Sequence, residues 1–532
     1  MGTKRARTRA NIWSPDGVDP VAGTPLFQHL LSVLPSDGRG PLPNGGAPYP
    51  DDPPPDPTTL SMGTALDGIM AVRGGHSTGD SPLLAAAAIR EACRQPLSTE
   101  TVHTVAERLR QLEAPNDFDR LLEAIRIAQP AARVRLAELA RWLCRFGVER
   151  RQVQAGLVML GVYGQLGDRV LISQLGLLDA LTLYSSVALI NLLDEPEPAI
   201  FELAKQVDGW GRIHTVYRLR RTSNPVVRDW LLRGGYDSGV MVEELAFIAA
   251  CAGELAEALQ GDMDEDLLDH AGVLLAALAT GGPAEDMSDY PPGEVAMGLY
   301  LEHMKQATAT LPRLHSLDTL SAYLDDWARE NPHLPQEARE RLAQQAHTVL
   351  DRPEWAEAAR RGVDSEDLHE FRNAIAVSRR LGIDPLPRVR EWLEREPHDG
   401  LLWYVLMGSA SRDEMAELLQ LAERLLPFED LPIGPTLELG FGPQYEANNC
   451  FDLIVQELQR YPGLGWDVMK LALLNRATRP RFMAVRALAE WDRDMWPEDG
   501  MSFLASIVAG EPDDELRTKL QALLQNAPSA PE

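Results

Sequence analysis

The residues best suited to binding chemistry form one basic stretch in an acidic chain. Over residues 205–233, seven basic side chains face two acidic ones, a local balance of +5, whereas the whole 532-residue chain carries −28. If Asp208 begins a helix, His214, Arg218 and Arg221 share one face, because their spacing matches helical periodicity. The candidate binding residues of this stretch are Arg212, His214, Arg218, Arg221 and Arg228.

Two interpretations of this basic stretch stay open at the level of the sequence. The first is an anion site for a phosphate, a carboxylate or an acidic peptide. The second is structural pairing with nearby acids, such as Asp194, Glu195, Glu197, Glu243 and Glu244. The effect of substitutions on stability distinguishes the two interpretations. Loss of a buried ion-pair partner destabilises the fold, whereas loss of an exposed binding residue does not.

A second candidate lies in the long loop at 426–445, which contains four prolines and three glycines. Phe441 and Tyr445 are its candidate binding residues, since a long loop that holds aromatic side chains is often a binding element. The alternative is an ordered cap over neighbouring helices.

Motifs for catalysis, metal binding or nucleotide binding are incomplete. Glu366 and His369 form one Glu-x-x-His pair, whereas a di-iron carboxylate site uses two. The sequence around Gly408 and Ser409 has no second glycine and no preceding strand of the kind found at a nucleophile elbow. The glycine-containing stretch at 73–80 lacks the lysine of a phosphate-binding loop. We therefore predict no catalytic residue, no metal site and no cofactor.

Helices must position these candidates. From about residue 81 onward Leu, Ala, Glu and Arg dominate, and apolar residues recur three and four positions apart. Pro, Gly, Asn or Asp separates the helical segments, such as those at 102–112 and 134–146. The pattern predicts an all-α fold of stacked helical hairpins, which is an α-solenoid.

Four segments of the chain echo one another, at 224–231, 387–393, 479–491 and 513–524. In each, a Pro or Asp precedes a Val-Arg or Leu-Arg pair and an apolar stripe. This pattern resembles the HEAT-repeat family, whose helices carry a turn Pro or Asp and an inward Arg. Because no constant period separates the four segments, the resemblance implies an irregular HEAT-like α-solenoid.

A further resemblance covers residues 205–255. The residues Gly209-Trp210-Gly211-Arg212-Ile213-His214, with Asn224-Pro225 and Arg228-Asp229-Trp230-Leu231-Leu232, are similar to a bacterial family labelled limonene hydroxylase. That resemblance implies a monooxygenase acting on a terpene, with a haem, a flavin or a non-haem iron. No haem-thiolate loop, flavin fingerprint or facial triad accompanies these residues.

Proline and glycine content divides the chain into regions. Residues 1–60 contain twelve prolines and few apolar side chains, which predicts a disordered tail. Within it, 25–34 has helical spacing and is expected to dock onto the body or a partner. We expect helical-repeat regions at 61–280 and 296–532, separated by a hinge or loop at 281–295.

The charge, the apolar segments and the cysteines of the chain indicate its cellular location and the partners that it can bind. The apolar run at 171–193 is long enough for a membrane span, but Gly176 and several polar residues favour two core helices. The basic residues at 4–9 are followed by no apolar segment, so no secretory signal is predicted. The four scattered cysteines favour a cytoplasmic protein. The net charge argues against nucleic-acid binding.

The function that we expect from the sequence is a non-enzymatic scaffold. Stacked hairpins form a long surface for a protein or peptide partner, and the acidic charge favours a basic one through electrostatic steering. One version is an immunity- or antitoxin-type protein that neutralises a basic toxin. The alternative is an enzyme of the limonene hydroxylase type.

Overall fold

The computed structural model describes residues 22–54, 58, 79–94, 98–113, 115–126, 130–431, 434–440 and 445–525. Every regular element in these ranges is helical, and the one strand-like feature among them is an isolated bridge between Glu438 and Ala477. The all-α prediction is thus confirmed for the part of the chain that is described. The chain divides into two compact units. The described residues of unit 1 lie within 1–52, 62–308 and 316–351, and those of unit 2 lie within 53–61, 309–315 and 352–532.

Unit 1 contains the first fifteen helices, the end of α16, and α17. These are α1 (Leu26–Val33), α2 (Ser81–Arg94), α3 (Thr99–Leu109), α4 (Pro115–Ile125), α5 (Pro130–Phe146), α6 (Arg150–Tyr163), α7 (Arg169–Leu175), α8 (Asp179–Leu192), α9 (Glu197–Ala204), α10 (Gly209–Leu219), α11 (Pro225–Trp230), α12 (Ala246–Ala252), α13 (Leu255–Ala258), α14 (Glu265–Thr280), α15 (Gly293–Met304), α16 (Leu311–Asp325) and α17 (Gln336–Leu350).

Unit 2 contains the start of α16 and all the later helices. These are α18 (Pro353–Val363), α19 (Leu368–Ser378), α20 (Leu386–Arg395), α21 (Gly400–Ser409), α22 (Arg412–Leu425), α23 (Glu446–Glu457), α24 (Trp466–Leu473), α25 (Thr478–Glu490), α26 (Gly500–Ile507) and α27 (Asp514–Gln525).

The core of unit 1 is built around α6, which packs against α5 and α8. A Cβ atom on Gly161 would lie 2.8 Å from the Cα of Ala188, so only glycine allows α6 and α8 to approach this closely. The apolar run at 171–193 forms α7 and α8, as predicted, with the break at Gly176. Among the described residues, no helix has the length and apolar character needed to span a bilayer.

The predicted tail requires a correction for residues 22–54. Residues 1–21 lie outside the described part of the chain, but α1 docks onto unit 1 as expected for 25–34, with Leu26 and Leu30 fully buried. Beyond α1, Tyr49 is buried and its hydroxyl oxygen accepts a hydrogen bond from the Ala180 N–H at 3.2 Å. Arg150 binds Asp51 at 3.1 Å. Prolines restrict the backbone before folding, which lowers the entropy cost of ordering this segment.

The segment 281–295 does not coincide with the division between the units. Met287 and Tyr290 are buried inside unit 1, and the Met287 N–H donates to the Leu278 carbonyl at 3.0 Å. Arg329 binds Asp286 at 2.8 Å. The prolines here make a turn that folds back against α14, because the buried aromatic and sulfur side chains anchor it.

In unit 2, side-chain caps fix the first residues of α21 and α22. Asp399 precedes α21, and its carboxylate accepts a hydrogen bond from the Leu402 N–H at 3.2 Å. Ser411 and Glu414 form a capping box at the start of α22. Side-chain caps of this kind satisfy N–H groups at a helix start and fix where each helix begins.

Candidate functional site

Helix α10 lies within the basic stretch and begins directly after Asp208, which is the helix start considered from the sequence. Gly209 has a φ of +61°, a left-handed conformation that favours glycine. The Gly211 N–H donates to Asp179 Oδ1 at 2.5 Å, and a Cβ atom on Gly211 would lie 2.8 Å from Thr182 Oγ1. Of the two glycines in the motif, Gly211 therefore lets α10 approach α8, whereas Gly209 supplies the left-handed backbone at the start of α10. Burial raises the pKa of Asp179 to about 6.

Arg212 belongs to the structural framework of this stretch. Its guanidinium binds Asp208 at 3.1 Å, donates to the Val207 carbonyl at 2.8 Å and lies 5.3 Å from the centre of the Trp230 ring. Burial lowers the pKa of Arg212. These contacts leave Arg212 as a link between the start of α10 and α11.

Arg228 is also paired. It binds Glu254 at 2.6 Å and donates to the Thr222 carbonyl at 3.4 Å. Two other basic residues of the stretch pair as well, Lys205 with Glu202 at 2.8 Å and Arg233 with three aspartates, namely Asp229, Asp264 and Asp266. Ion pairing therefore accounts for four of the seven basic residues. Their partners are not the acids at 194–197 and 243–244 that the sequence suggested.

His214 does not lie on an exposed binding face. Only 4% of its surface is accessible, and its ring centre lies 6.2 Å from that of Trp210. Burial, together with the positive charge of Arg218, lowers the pKa of His214 to about 3. The imidazole is therefore neutral at physiological pH, and this candidate is corrected to a core histidine.

The three remaining basic residues, Arg218, Arg220 and Arg221, form what we call the arginine patch. Arg218 is half-buried, and its guanidinium donates to the His214 carbonyl at 2.6 Å. Arg220 and Arg221, at the end of α10, are exposed. In the described parts of the chain, none of the three has a carboxylate partner. Burial and the neighbouring Arg220 lower the pKa of Arg218 to about 10, which marks a guanidinium whose charge nothing nearby neutralises.

The loop at 426–445 is anchored rather than open at its described end. Phe441 lies outside the described residues. Tyr445 is buried, and its hydroxyl donates to Glu438 Oε2 at 2.5 Å. Burial raises the pKa of Tyr445, and the hydrogen bond to Glu438 adds to the effect. Arg476 holds the second oxygen of Glu438 at 2.7 Å. Tyr445 is thereby corrected to an anchor of the loop.

The arginine groove, a concave surface of unit 2, was not found by sequence reasoning. It has a volume of about 560 Å³, and three guanidiniums surround it, those of Arg372, Arg379 and Arg460. Its apolar wall includes Leu401 and Tyr404, which are 45% and 52% exposed. One signal was present: α21 is apolar on all sides, and such a helix is normally buried all round.

Neither a metal-binding cluster nor a similar protein assigns a function to these sites. Among the described residues, no three histidine, cysteine, aspartate or glutamate side chains are grouped so that they could hold a metal ion. Comparison with protein-family models, with curated proteins and with solved structures gives no match to this chain.

Proposed function

We propose that the protein is a non-enzymatic scaffold that binds a protein or peptide partner, and that the arginine patch contacts an acidic group of that partner. One observation carries the proposal: three neighbouring guanidiniums, one of them half-buried, have no carboxylate partner in the described residues of a chain with a net charge of −28. A guanidinium taken partly out of water gains most from a planar anion that pairs with it.

The scaffold is proposed to be an irregular HEAT-like α-solenoid. Support comes from the four similar segments, which form α11, α20, α25 and α27. The apolar residue before the arginine is buried in all four, at Val227, Val389, Val485 and Leu516. Equivalent burial at equivalent positions is what repeated helical units require, since each repeat buries its apolar face against its neighbours.

The partner chemistry combines a local and a long-range requirement. At the patch, direct pairing selects a carboxylate or a phosphate. Over the rest of the surface, the charge of −28 favours a partner with basic regions, because steering depends on the whole field. An immunity- or antitoxin-type protein that neutralises a basic toxin is one version of this scaffold.

A cytoplasmic location belongs to the same proposal. The four cysteines are all unpaired, and Cys93, Cys144 and Cys450 are buried. Burial raises the pKa of Cys93 to about 11, which keeps the thiol protonated and unreactive. Free thiols of this kind suit a reducing compartment.

The alternative, a monooxygenase of the limonene hydroxylase type, is favoured by no specific contact. The residues behind that resemblance have structural roles: Gly209 supplies a left-handed backbone, Gly211 leaves room for Asp179, and Arg212 and Arg228 pair with acids. These contacts account for the motif without a substrate or cofactor.

The arginine patch can be tested with a fluorescein-labelled hexaglutamate peptide at physiological ionic strength. Under that condition screening acts over about 8 Å, so direct contacts dominate over net charge. We expect the Arg218→Gln, Arg221→Gln double variant to bind the peptide about tenfold more weakly. Its unfolding free energy should fall by no more than about 1.5 kcal/mol, because only the hydrogen bond from Arg218 to the His214 carbonyl is lost.

The matched control removes the same charge elsewhere in unit 1. Arg108 and Arg169 are exposed, and in the described residues neither has an ion-pair partner. The Arg108→Gln, Arg169→Gln double variant should bind hexaglutamate like the wild type. Equal binding by both double variants, or no binding by the wild type, would overturn the proposal.

A further inference from the structure

We infer that the arginine groove of unit 2 binds an acidic, amphipathic segment of a protein partner, with carboxylates on its guanidiniums and a large apolar side chain against Leu401 and Tyr404. This inference deepens the proposed scaffold function and rests on it. The groove shares no residue with the arginine patch, so it constitutes a separate binding surface.

Three arginines supply the charge of the groove, and each keeps donors unused. Arg372 binds Asp399 Oδ2 through Nε at 2.9 Å and through Nη2 at 2.5 Å, which leaves Nη1. Arg460 uses only Nη1, to the Gly408 carbonyl at 3.0 Å and to Glu457 at 2.9 Å. A guanidinium has five N–H donors, so both side chains can still bind an incoming carboxylate.

Arg379 is the most available of the three. Its Nη2 donates to the hydroxyl of Ser409, and within the described residues it has no carboxylate partner. The Ser409 hydroxyl in turn donates to the Val405 carbonyl at 2.6 Å, so the serine is held in place. Arg379 therefore contributes an uncompensated positive charge at the edge of the groove.

The apolar part of the groove comes from one helix. Along α21, Leu402, Trp403 and Leu406 are buried, whereas Leu401 and Tyr404 remain about half exposed. The Tyr404 hydroxyl has no hydrogen-bond partner among the described residues. An aromatic ring with a free hydroxyl beside guanidiniums offers apolar contact and polar contact together.

These features favour a protein segment over a small molecule. Pockets for small ligands usually enclose most of the ligand surface, whereas here 45% of Leu401 and 52% of Tyr404 face solvent. An amphipathic helix that lies in a groove between helices makes contacts of this open kind. An acidic segment fits the groove best, because Arg379 has no carboxylate partner in the described residues. Arg372 and Arg460, although paired with Asp399 and with the groove residue Glu457, keep free N–H donors for a further carboxylate.

Gly408 allows the groove to be filled without disturbing the helices. It lines the groove, and a Cβ atom built on it meets no other atom within 4 Å. A Gly408→Phe variant therefore places a ring in the open space of the groove. Gly510 is the matched control, since its Cβ position is equally open and it does not line the groove.

The test is a selection of random peptides displayed on phage against the full chain, followed by affinity measurement on the enriched peptides. We expect these peptides to carry Asp or Glu beside Leu, Phe or Trp. Their affinity should fall about tenfold or more in Gly408→Phe and in Arg379→Glu. Gly510→Phe should bind like the wild type, and all three variants should keep the circular dichroism spectrum and thermal midpoint of the folded chain.

The arginine patch variants separate this inference from the proposed function. Peptides that lose affinity in the Arg218→Gln, Arg221→Gln variant but not in Gly408→Phe would overturn the groove and leave the scaffold standing. Enriched peptides rich in Lys or Arg, tighter binding of a single-stranded oligonucleotide at the groove, or equal binding to the filled groove would each overturn the inference. A selection that enriches no peptide would overturn the groove and count against the scaffold as well.

Discussion

Arg481 and Glu511 form a two-point ion pair in the interior of unit 2. Arg481 Nε lies 2.8 Å from Glu511 Oε2, Nη2 lies 2.9 Å from Oε1, and the two side chains are 0% and 3% exposed. The same guanidinium donates to the Thr436 carbonyl at 2.8 Å, so it connects α25 and the segment that precedes α27 to the long loop. The loop is therefore held by a buried charge pair.

Removal of one partner of this pair should be severely destabilising. We expect Glu511→Gln to lower the unfolding free energy by about 3–5 kcal/mol, because Arg481 then remains buried without a counter-charge. Urea denaturation measures the effect. Glu515→Gln, at an exposed position in α27, is the control and should change the free energy by less than about 0.5 kcal/mol. A similarly small effect of Glu511→Gln would contradict the assignment.

Asp452 should make stability fall as the pH rises. Burial raises its pKa to about 7, against a lowering influence from Arg479, which lies 3.0 Å away. Between about pH 4 and pH 7 the folded state binds the proton more tightly than the unfolded state, so raising the pH favours unfolding. We expect about 2–3 kcal/mol of stability to be lost from this group between pH 5 and pH 8.

The variant Asp452→Asn isolates that contribution. Its unfolding free energy should fall less than that of the wild type over the same pH range, by about 2–3 kcal/mol. The control is Asp494→Asn, at an exposed position, which should follow the wild type. Parallel pH profiles for Asp452→Asn and the wild type would refute the prediction.

His214 should act in the opposite direction. Because its pKa is lowered to about 3, the unfolded chain binds a proton below about pH 6.5 that the folded chain does not. Stability is therefore complete above that pH and lost as the pH falls, by about 2 kcal/mol at pH 5. Histidine ring resonances followed by NMR should show His214 neutral at pH 5. Protonation of His214 near pH 6 would disprove its burial in the core.

The close approach of α10 to α8 predicts a packing defect. Gly211→Ala places a methyl group 2.8 Å from Thr182 Oγ1 and 3.0 Å from Asp179 Oδ1, so we expect a loss of about 1–3 kcal/mol. Gly167→Ala is the control, since its Cβ would meet nothing within 4 Å. If both variants unfold at the same urea concentration, the glycine motif is not a packing device.

The sequence predicts the helical class and several helix boundaries, because these features depend on residues that are close together in the chain. Helical periodicity gave the all-α class, and the break at Gly176 correctly divided 171–193 into α7 and α8. Helix α10 does begin directly after Asp208, although the Asp208 side chain accepts no hydrogen bond from a backbone N–H at the helix start. Each of these features depends on residues within one or two helical turns of one another.

Contacts between residues that are far apart in the chain could not be predicted from the sequence. Arg228 pairs with Glu254 and Arg233 with Asp264, across turns whose geometry no local pattern specifies. The order of 22–54 depends on contacts such as Arg150 with Asp51. The arginine groove combines Arg372 with Arg460, which come together only after several helices have packed.

Site-directed photo-crosslinking at the arginine patch tests the central claim most directly. Ser223 is exposed beside Arg221, so a benzophenone side chain introduced there would contact a bound acidic segment. We predict that labelled hexaglutamate crosslinks at position 223, that the Arg218→Gln, Arg221→Gln variant suppresses this crosslink, and that the same probe at position 167 yields none. Equal crosslinking at both positions, or a crosslink at 223 that survives loss of the two arginines, would contradict the assignment of the patch as a binding site.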